Sequence, residues 1–263
     1  MKIKTAVIIA SILFFSCSGG NKLKENMSAQ IKDEKDSMVI INNDTSEEMI
    51  VNEEYSNKPS SPYSTFKIWN TLIGIECGII DSSSDLFYKW DSVERYRPEW
   101  NRDMNLSEAF KTSCVPAYQN LARHIGKDNM NMWLSRINYG NKDISMGTDI
   151  FWLEDENGRS IMISPLEQAR LMEKLVNKKL PFGEKSMKIL KEVMLSKQGK
   201  ASAIYGKTGT GRDNTMGWYV GYIEGKGFSY SFACRLYGEK ISGKDAQAKV
   251  EEVFSSVGLF QSL

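Results

Sequence analysis

Histidine is almost missing from this chain: His124 is the only one in 263 residues. A Ser-His-Asp triad would have to use it, and a histidine-based zinc site is disfavoured on the same count. His124 stands in LARHIG, at the charged end of a predicted helix with no nucleophile motif beside it, and reads as a surface or last-turn residue. An excess of charge of one sign is also lacking. The 34 basic and 33 acidic side chains nearly cancel, which gives no support to nucleic-acid binding. Cysteine is sparse. With Cys17 set aside, Cys77, Cys114 and Cys234 form an odd set with no zinc spacing and no disulfide framework. One bridge could form in an oxidising compartment, and the sequence does not choose it. Small buried residues are the simpler reading for all three. Internal repeats are absent too.

The apolar run AVIIASILFF, Ala6 to Phe15, is too short for an ordinary membrane-spanning helix. It follows Lys2 and Lys4 and ends in FFSC, with small Ser16 before Cys17, which is the layout of an export signal. The arrangement resembles a bacterial lipoprotein signal: a signal peptide over residues 1–16, then lipid on the Cys17 thiol. A plain secretory signal with a chance cysteine is the alternative. Either way the mature chain is exported, to the periplasm or the cell surface. Residues 17–37 are polar and charged and read as a tether, which leaves one domain over residues 38–263.

Apolar content of 41% with 25% charged residues allows that domain a sizeable core. Met38 to Asn52 reads as a hairpin, two apolar runs around an Asn-Asp turn. Helices are expected over Ser64–Ile80, Leu106–Ile125, Lys127–Ile137, Pro165–Asn177 and Glu184–Ser196. After Lys197 the segments ASAIYGKTG, GWYVGYIEG and FSYSFACRLYG, separated by glycine, read as three antiparallel strands. A helix over Lys244–Val257 closes the chain. The fold class is α+β: an antiparallel sheet that collects the first and last segments, flanked by helices, plus an all-helical region.

The chemistry begins at SPYSTFKIWN. Ser64 and Lys67 are three residues apart, so a helix puts them on one face. A serine hydroxyl needs a base to become a nucleophile. A lysine amine serves only if burial lowers its pKa or another group modifies it. Phe66, Ile68 and Trp69 could supply that burial. Taken alone, S-x-x-K is also an ordinary helix cap. With histidine so scarce, a serine enzyme here has lysine as its base. Ser113 in SCV is either a capping serine or a proton relay. In YGKTGTG, Lys207 offers a cation and Thr208 a hydroxyl. Gly209 offers close backbone approach, and Thr210 an N–H that could pair with that of Ser64 around an oxyanion.

Together STFK, SCV, YGN (Tyr139 to Asn141), FWLE (Phe151 to Glu154) and KTG resemble the class D serine β-lactamases, the oxacillinases. The stretch KWDSVERYRPEWNRDMNLSEAF, with VPAYQNLARHIG after it, and the segments ISPLEQARLMEKL and GWYVGYIEG fit as well. The likeness runs from about Met38 to the end. S-x-V and Y-G-N stand where class A enzymes carry S-D-N. The resemblance implies that Ser64 attacks a β-lactam carbonyl and that Lys67 is N-carboxylated by carbon dioxide. It implies that Trp152 donates to the carbamate, that Val115 keeps the pocket dry, and that Ser113 moves a proton with help from Lys207. Thr208 and the Thr210 N–H would hold the substrate carboxylate and the oxyanion. Tyr139 would line the pocket or simply pack. No metal and no organic cofactor is implied. The expected partner is a small-molecule β-lactam, with no nucleic acid and a membrane only through the lipid anchor. Nothing in the sequence sets an oligomeric state.

Two departures stand out. No arginine matches the family's carboxylate-binding position cleanly, leaving Arg235, Lys244 and Arg212 as candidates. EDENGRSIM, Glu154 to Met162, is a few residues longer than usual beside the carbamate pocket. The alternative function is a β-lactam sensor or penicillin-binding domain that is acylated without efficient turnover, because GKTGTG and GWYVGY also echo such sensors.

Overall fold

The computed structural model describes the backbone of residues 10–263 and side chains from residue 20 onward. In chain order the helices are α1 (Ala10–Gln30), α2 (Glu53–Asn57), α3 (Lys67–Glu76), α4 (Leu106–Lys111), α5 (Val115–Ile125), α6 (Lys127–Ile137), α7 (Pro165–Val176), α8 (Glu184–Met194) and α9 (Gly243–Ser256). The strands are β1 (Ser37–Asn42), β2 (Glu48–Val51), β3 (Leu86–Tyr88), β4 (Met104–Asn105), β5 (Leu195–Gln198), β6 (Ser202–Thr210), β7 (Met216–Gly225) and β8 (Phe228–Tyr237).

The expected hairpin is β1–β2, with Met38 opposite Val51. β1 then pairs with β8, Met38 opposite Cys234, so the first and last strands meet inside one sheet. The sheet order is β2-β1-β8-β7-β6-β5, and every pairing is antiparallel. Both faces are covered, which explains strands that read as nearly continuous apolar runs. Met38 and Ile40 turn toward one core with Tyr219, Ile223, Phe232 and Val250 of α9. Val39 and Ile41 turn toward a larger core that includes α3, α5, α7 and α8. The α+β architecture is as expected.

α3 is the axis of the helical region. Every residue from Lys67 to Ile75 is buried, between α5 and α8. A helix buried all round has no solvent face and must be central.

Four expectations change. The helix expected from Ser64 to Ile80 begins with a single 3-10 turn (Tyr63–Phe66) and is α-helical only over Lys67–Glu76. The helix expected over Leu106–Ile125 is broken into α4 and α5. Pro116 lies in the first turn of α5, where its missing N–H is harmless, whereas inside a longer helix it would clash with the preceding turn. The final strand set gains β5, short and exposed, from residues that read as a helix end.

The tether is the largest correction. The segment 22–31 is not a free tether: α1 packs on α9, and Leu23, Met27 and Ile31 are buried in the α9-side core while the residues between them face solvent. Their i, i+4, i+8 spacing is one helical stripe, hidden among lysines, asparagines and glutamates. The boundary at 37 therefore cuts through packed structure. The signal peptide and the Cys17 lipid site lie outside the described residues at 1–9, and outside the described side chains at 10–19.

Replacing Met27 with Ala should lower the urea midpoint by an amount worth about 2–4 kcal/mol, as expected for a buried large-to-small change. A solvated tether would leave the midpoint unchanged.

Candidate active site

The 3-10 turn places the two residues the sequence put on one face. Ser64 sits in the turn and Lys67 opens α3, with Lys67 Nζ and Ser64 Oγ 3.1 Å apart in a hydrogen bond. The turn is fastened by the Thr65 hydroxyl, which donates to the Pro62 carbonyl at 2.7 Å and accepts from Gln168 Nε2 at 3.0 Å.

Lys67 is fully buried. Burial pulls its pKa from 10.5 down to about 7, the nearby Arg97 charge works the same way, and Cys114 opposes. The N-terminus of α3 adds to this, because the positive end of a helix dipole disfavours a cation. At neutral pH a large share of the amine is therefore unprotonated, and the site would accept an anion more readily than a cation. Trp152 is buried nearby, stacked on Phe66 with ring centroids 5.7 Å apart. Its indole Nε1 has no hydrogen-bond partner. A buried unpaired donor costs about 1–3 kcal/mol, so this N–H is free to bond an acceptor brought into the site.

The break between α4 and α5 delivers Ser113. Its φ of 57° is left-handed, rare for a residue with a side chain, and the reversal puts Ser113 and Val115 on the rim of a cleft that also holds Ser64. The cleft encloses about 430 Å³. Its lining also includes Tyr63, Leu153, Glu154, Arg212, Tyr96 and Trp100.

β6 forms the third side. β5 covers β6 only from Ala203 to Tyr205, so the edge from Gly206 to Thr210 is open. The Gly211 N–H donates to the Met216 carbonyl at 2.7 Å. Antiparallel alternation therefore turns the N–H groups of Thr208 and Thr210 away from β7, toward the open edge. Both threonines line the cleft. Lys207 is buried, and its pKa is pushed well down by burial, then by the Lys67 and Arg97 charges. Its Nζ donates to the Thr208 carbonyl at 2.9 Å rather than to Ser113.

Three candidates are placed differently from expectation. Gly209 does not offer its face to a ligand. A Cβ there would lie 3.0 Å from the Pro62 carbonyl and 3.2 Å from Thr65 Cγ2, so the glycine lets the nucleophile's turn sit directly on β6. Tyr139 is fully buried against Phe66 and Trp69, with its hydroxyl unpaired, and does not reach the cleft. Gly140 beside it is required by geometry: φ is 45°, and a Cβ would fall 2.0 Å from the Met162 carbonyl. Arg235 is also internal. It donates to the carbonyls of Lys58 at 2.7 Å and Tyr55 at 2.6 Å and to Ser60 Oγ at 3.0 Å, bracing the segment before Ser64. Arg212 and Lys244, by contrast, line the cleft.

Sequence reasoning missed Arg97, Lys111 and Tyr63. Arg97 sits over Trp100, 5.2 Å from the ring centroid. A basic residue between Tyr96 and Trp100 was the available signal, but it becomes informative only when the fold brings it near Lys67. With Arg97, Lys111, Arg212 and Lys244 against Glu154, the cleft suits an anionic ligand. His124 is exposed, and Cys77, Cys114 and Cys234 are free thiols.

Comparison with known proteins points one way. The family model "Penicillin binding protein transpeptidase domain" matches residues 27–257. The probable β-lactamase YbxI of Bacillus subtilis is 37% identical over 92% of this chain and 88% of its own. A crystal structure of a class D β-lactamase from Bacillus subtilis superposes with a TM-score of 0.84 at 36% identity, covering 90% of this chain and 97% of that one. The C-terminal domain of the Bacillus licheniformis BlaR penicillin receptor superposes with a TM-score of 0.81 at 28% identity, covering 89% and 96%.

Tyr139→Phe removes a hydroxyl that has no partner. Unfolding stability should stay level or rise by up to about 1 kcal/mol. A clear loss in a denaturant melt would mean that the hydroxyl is bonded after all.

Proposed function

Because the chain belongs to the penicillin-binding protein transpeptidase family, and within it to the class D β-lactamases, we propose that it hydrolyses the amide bond of penicillins through an acyl-enzyme on Ser64. The observation that carries this reading is the Ser64–Lys67 pair: a hydroxyl at 3.1 Å from a buried amine whose pKa has fallen to about 7. A lysine of ordinary pKa would be protonated and could not take the serine proton.

Ser64 Oγ attacks the lactam carbonyl as its proton leaves toward Lys67. The developing oxyanion lies between the N–H groups of Ser64 and Thr210, the latter turned outward on the open edge of β6. As the ring C–N bond breaks, Ser113 passes a proton to the departing nitrogen, and the Lys207 amine beside the cleft assists that transfer. Thr208, with Arg212 and Lys244 on the cleft wall, holds the substrate carboxylate. Val115 and Leu153 limit water at the base.

The residues around Lys67 fit N-carboxylation: a neutral amine, a dry pocket, a helix N-terminus and the unpaired Trp152 N–H. A carbamate there, formed when the amine adds carbon dioxide and releases a proton, supplies an anionic oxygen base for acylation and for hydrolysis of the ester. Trp152 Nε1 would hold one of its oxygens.

A sensor-like domain, acylated but slow to turn over, is the second reading, favoured by the likeness to the BlaR domain. Purified protein with a chromogenic penicillin separates the two. Sustained turnover that is lost in Ser64→Ala supports the enzyme, whereas a single stoichiometric burst with a stable adduct supports the sensor.

The pH dependence has a definite sign. The neutral fraction of Lys67 falls as pH drops through about 7, to about a tenth one unit lower. Turnover should fall on the acid side and be restored there by added bicarbonate. Initial rates at fixed substrate, with and without bicarbonate, check this, and an acid limb indifferent to bicarbonate would remove the carbamate from the scheme.

For location, the proposal is export with a lipid on Cys17, resting on the FFSC motif. Since Leu23 is already packed on the domain, the free stretch after Cys17 would be only a few residues. The domain would then sit at the membrane surface rather than on a long leash.

A further inference from the structure

The segment that carries Trp152 has no helix or strand of its own: regular structure stops at Ile137 and resumes at Pro165. A connection that long holds one conformation only through ties to its surroundings. Three of its ties lead to the few residues just before the nucleophile. Ser60 pairs with Ile163 in an isolated antiparallel bridge. The Ser61 hydroxyl donates to the Trp152 carbonyl at 3.1 Å. The Tyr63 phenol donates to the Glu154 carboxylate. Only the last reaches the cleft, one residue from Ser64 and two from Trp152.

Tyr63 is unusual in its backbone as well. Its φ is 47°, the left-handed region, which is costly for an aromatic residue and persists only where the surroundings enforce it. The ring packs against the turn after β6, where a Cβ on Gly211 would lie 3.3 Å from Tyr63 Cε2. One phenol thus touches all three elements of the site: the nucleophile's turn, the Trp152 segment and the end of β6. Burial, followed by the Glu154 carboxylate, pushes the Tyr63 pKa well up, so the phenol remains a hydrogen-bond donor at any pH where the protein works.

We infer that Tyr63 is a positioning residue whose hydrogen bond to Glu154 holds the Trp152 segment against Lys67 and thereby sets how tightly the carbamate is retained. The inference rests on the carbamate reading of Lys67. If the bond is lost, Glu154 has no partner in the cleft wall, residues 152–154 are left with the Ser61 bond, the Leu153 N–H bond to Ile150 and the stack of Trp152 on Phe66, and Trp152 Nε1 is less well placed. Lys67 itself is untouched, so the effect falls on carbamate occupancy.

The test reads occupancy directly. Full-length protein is titrated with ¹³C-labelled bicarbonate, and the Lys67 carbamate resonance is followed by ¹³C NMR in the wild type, Tyr63→Phe, Glu154→Ala and Glu154→Gln. Tyr63→Phe removes one oxygen, and Glu154→Ala breaks the same bond from the other side should the first variant fold poorly. Both should raise the half-saturating bicarbonate about tenfold, the weight of one hydrogen bond to a charged group. Glu154→Gln keeps an acceptor for the phenol and should stay within about twofold. Unshifted titrations in Tyr63→Phe and Glu154→Ala would overturn the inference alone. Equal shifts in Glu154→Ala and Glu154→Gln would also overturn it, by assigning the effect to charge rather than to the bond. No carbamate signal in the wild type at saturating bicarbonate would overturn the carbamate reading, and this inference with it.

Discussion

An amine buried at the first residue of a wholly buried helix is the constraint on which the rest of the site depends. Removing an ammonium from water without a carboxylate partner is too costly to sustain, so Lys67 gives up its proton near neutrality instead. The features that accomplish this come from different parts of the chain. α5 and α8 enclose α3, and Lys67 stands at the positive end of that helix. Arg97 adds a second cation to the neighbourhood. Each disfavours the protonated form, and together they leave a neutral base within reach of Ser64.

The same economy of neighbouring charge appears at Lys207. Burial, and after it the charge of Lys67, pushes the Lys207 pKa well down, so the two lysines are unfavourable as a pair of cations. An anion between them, whether a carbamate or a bound carboxylate, would relieve both. The basic rim of Arg97, Lys111, Arg212 and Lys244 extends this bias outward to where a substrate carboxylate arrives. The cleft is thus shaped electrostatically for an anionic substrate before any ligand enters.

Rigidity comes from beneath. The residues leading to Ser64 are fixed by Arg235 through Tyr55, Lys58 and Ser60, and by the Trp218 indole, which donates to the Ser61 carbonyl at 3.0 Å. A buried guanidinium among backbone carbonyls, its Nε unpaired, is an expensive brace. It makes sense where the position of one serine matters more than the stability of the whole. Gly209 completes the arrangement by allowing that turn to rest on β6. Arg235 and Gly209 therefore serve the site without facing the substrate.

The sequence by itself determined the strand set around β6, β7 and β8, the apolar run of α3 and the Ser64–Lys67 spacing. These are local matters of period, turn residues and backbone sterics, and each leaves its mark within a few neighbouring positions. The tertiary structure alone decided which side chains share the cleft. Arg97 and Arg212 look like ordinary surface charges in the sequence, yet they reach the site. Arg235 looks the same and lies in the interior. Leu23, Met27 and Ile31 were obscured by a polar segment, because three apolar residues among many charged ones make a weak pattern until α9 offers them a partner. Tyr63 was missed beside the nucleophile, because its meaning depends on Glu154, ninety-one residues away. Burial and contacts across such separations are set by how the sheet and helices close on one another, and no short window of sequence carries that information.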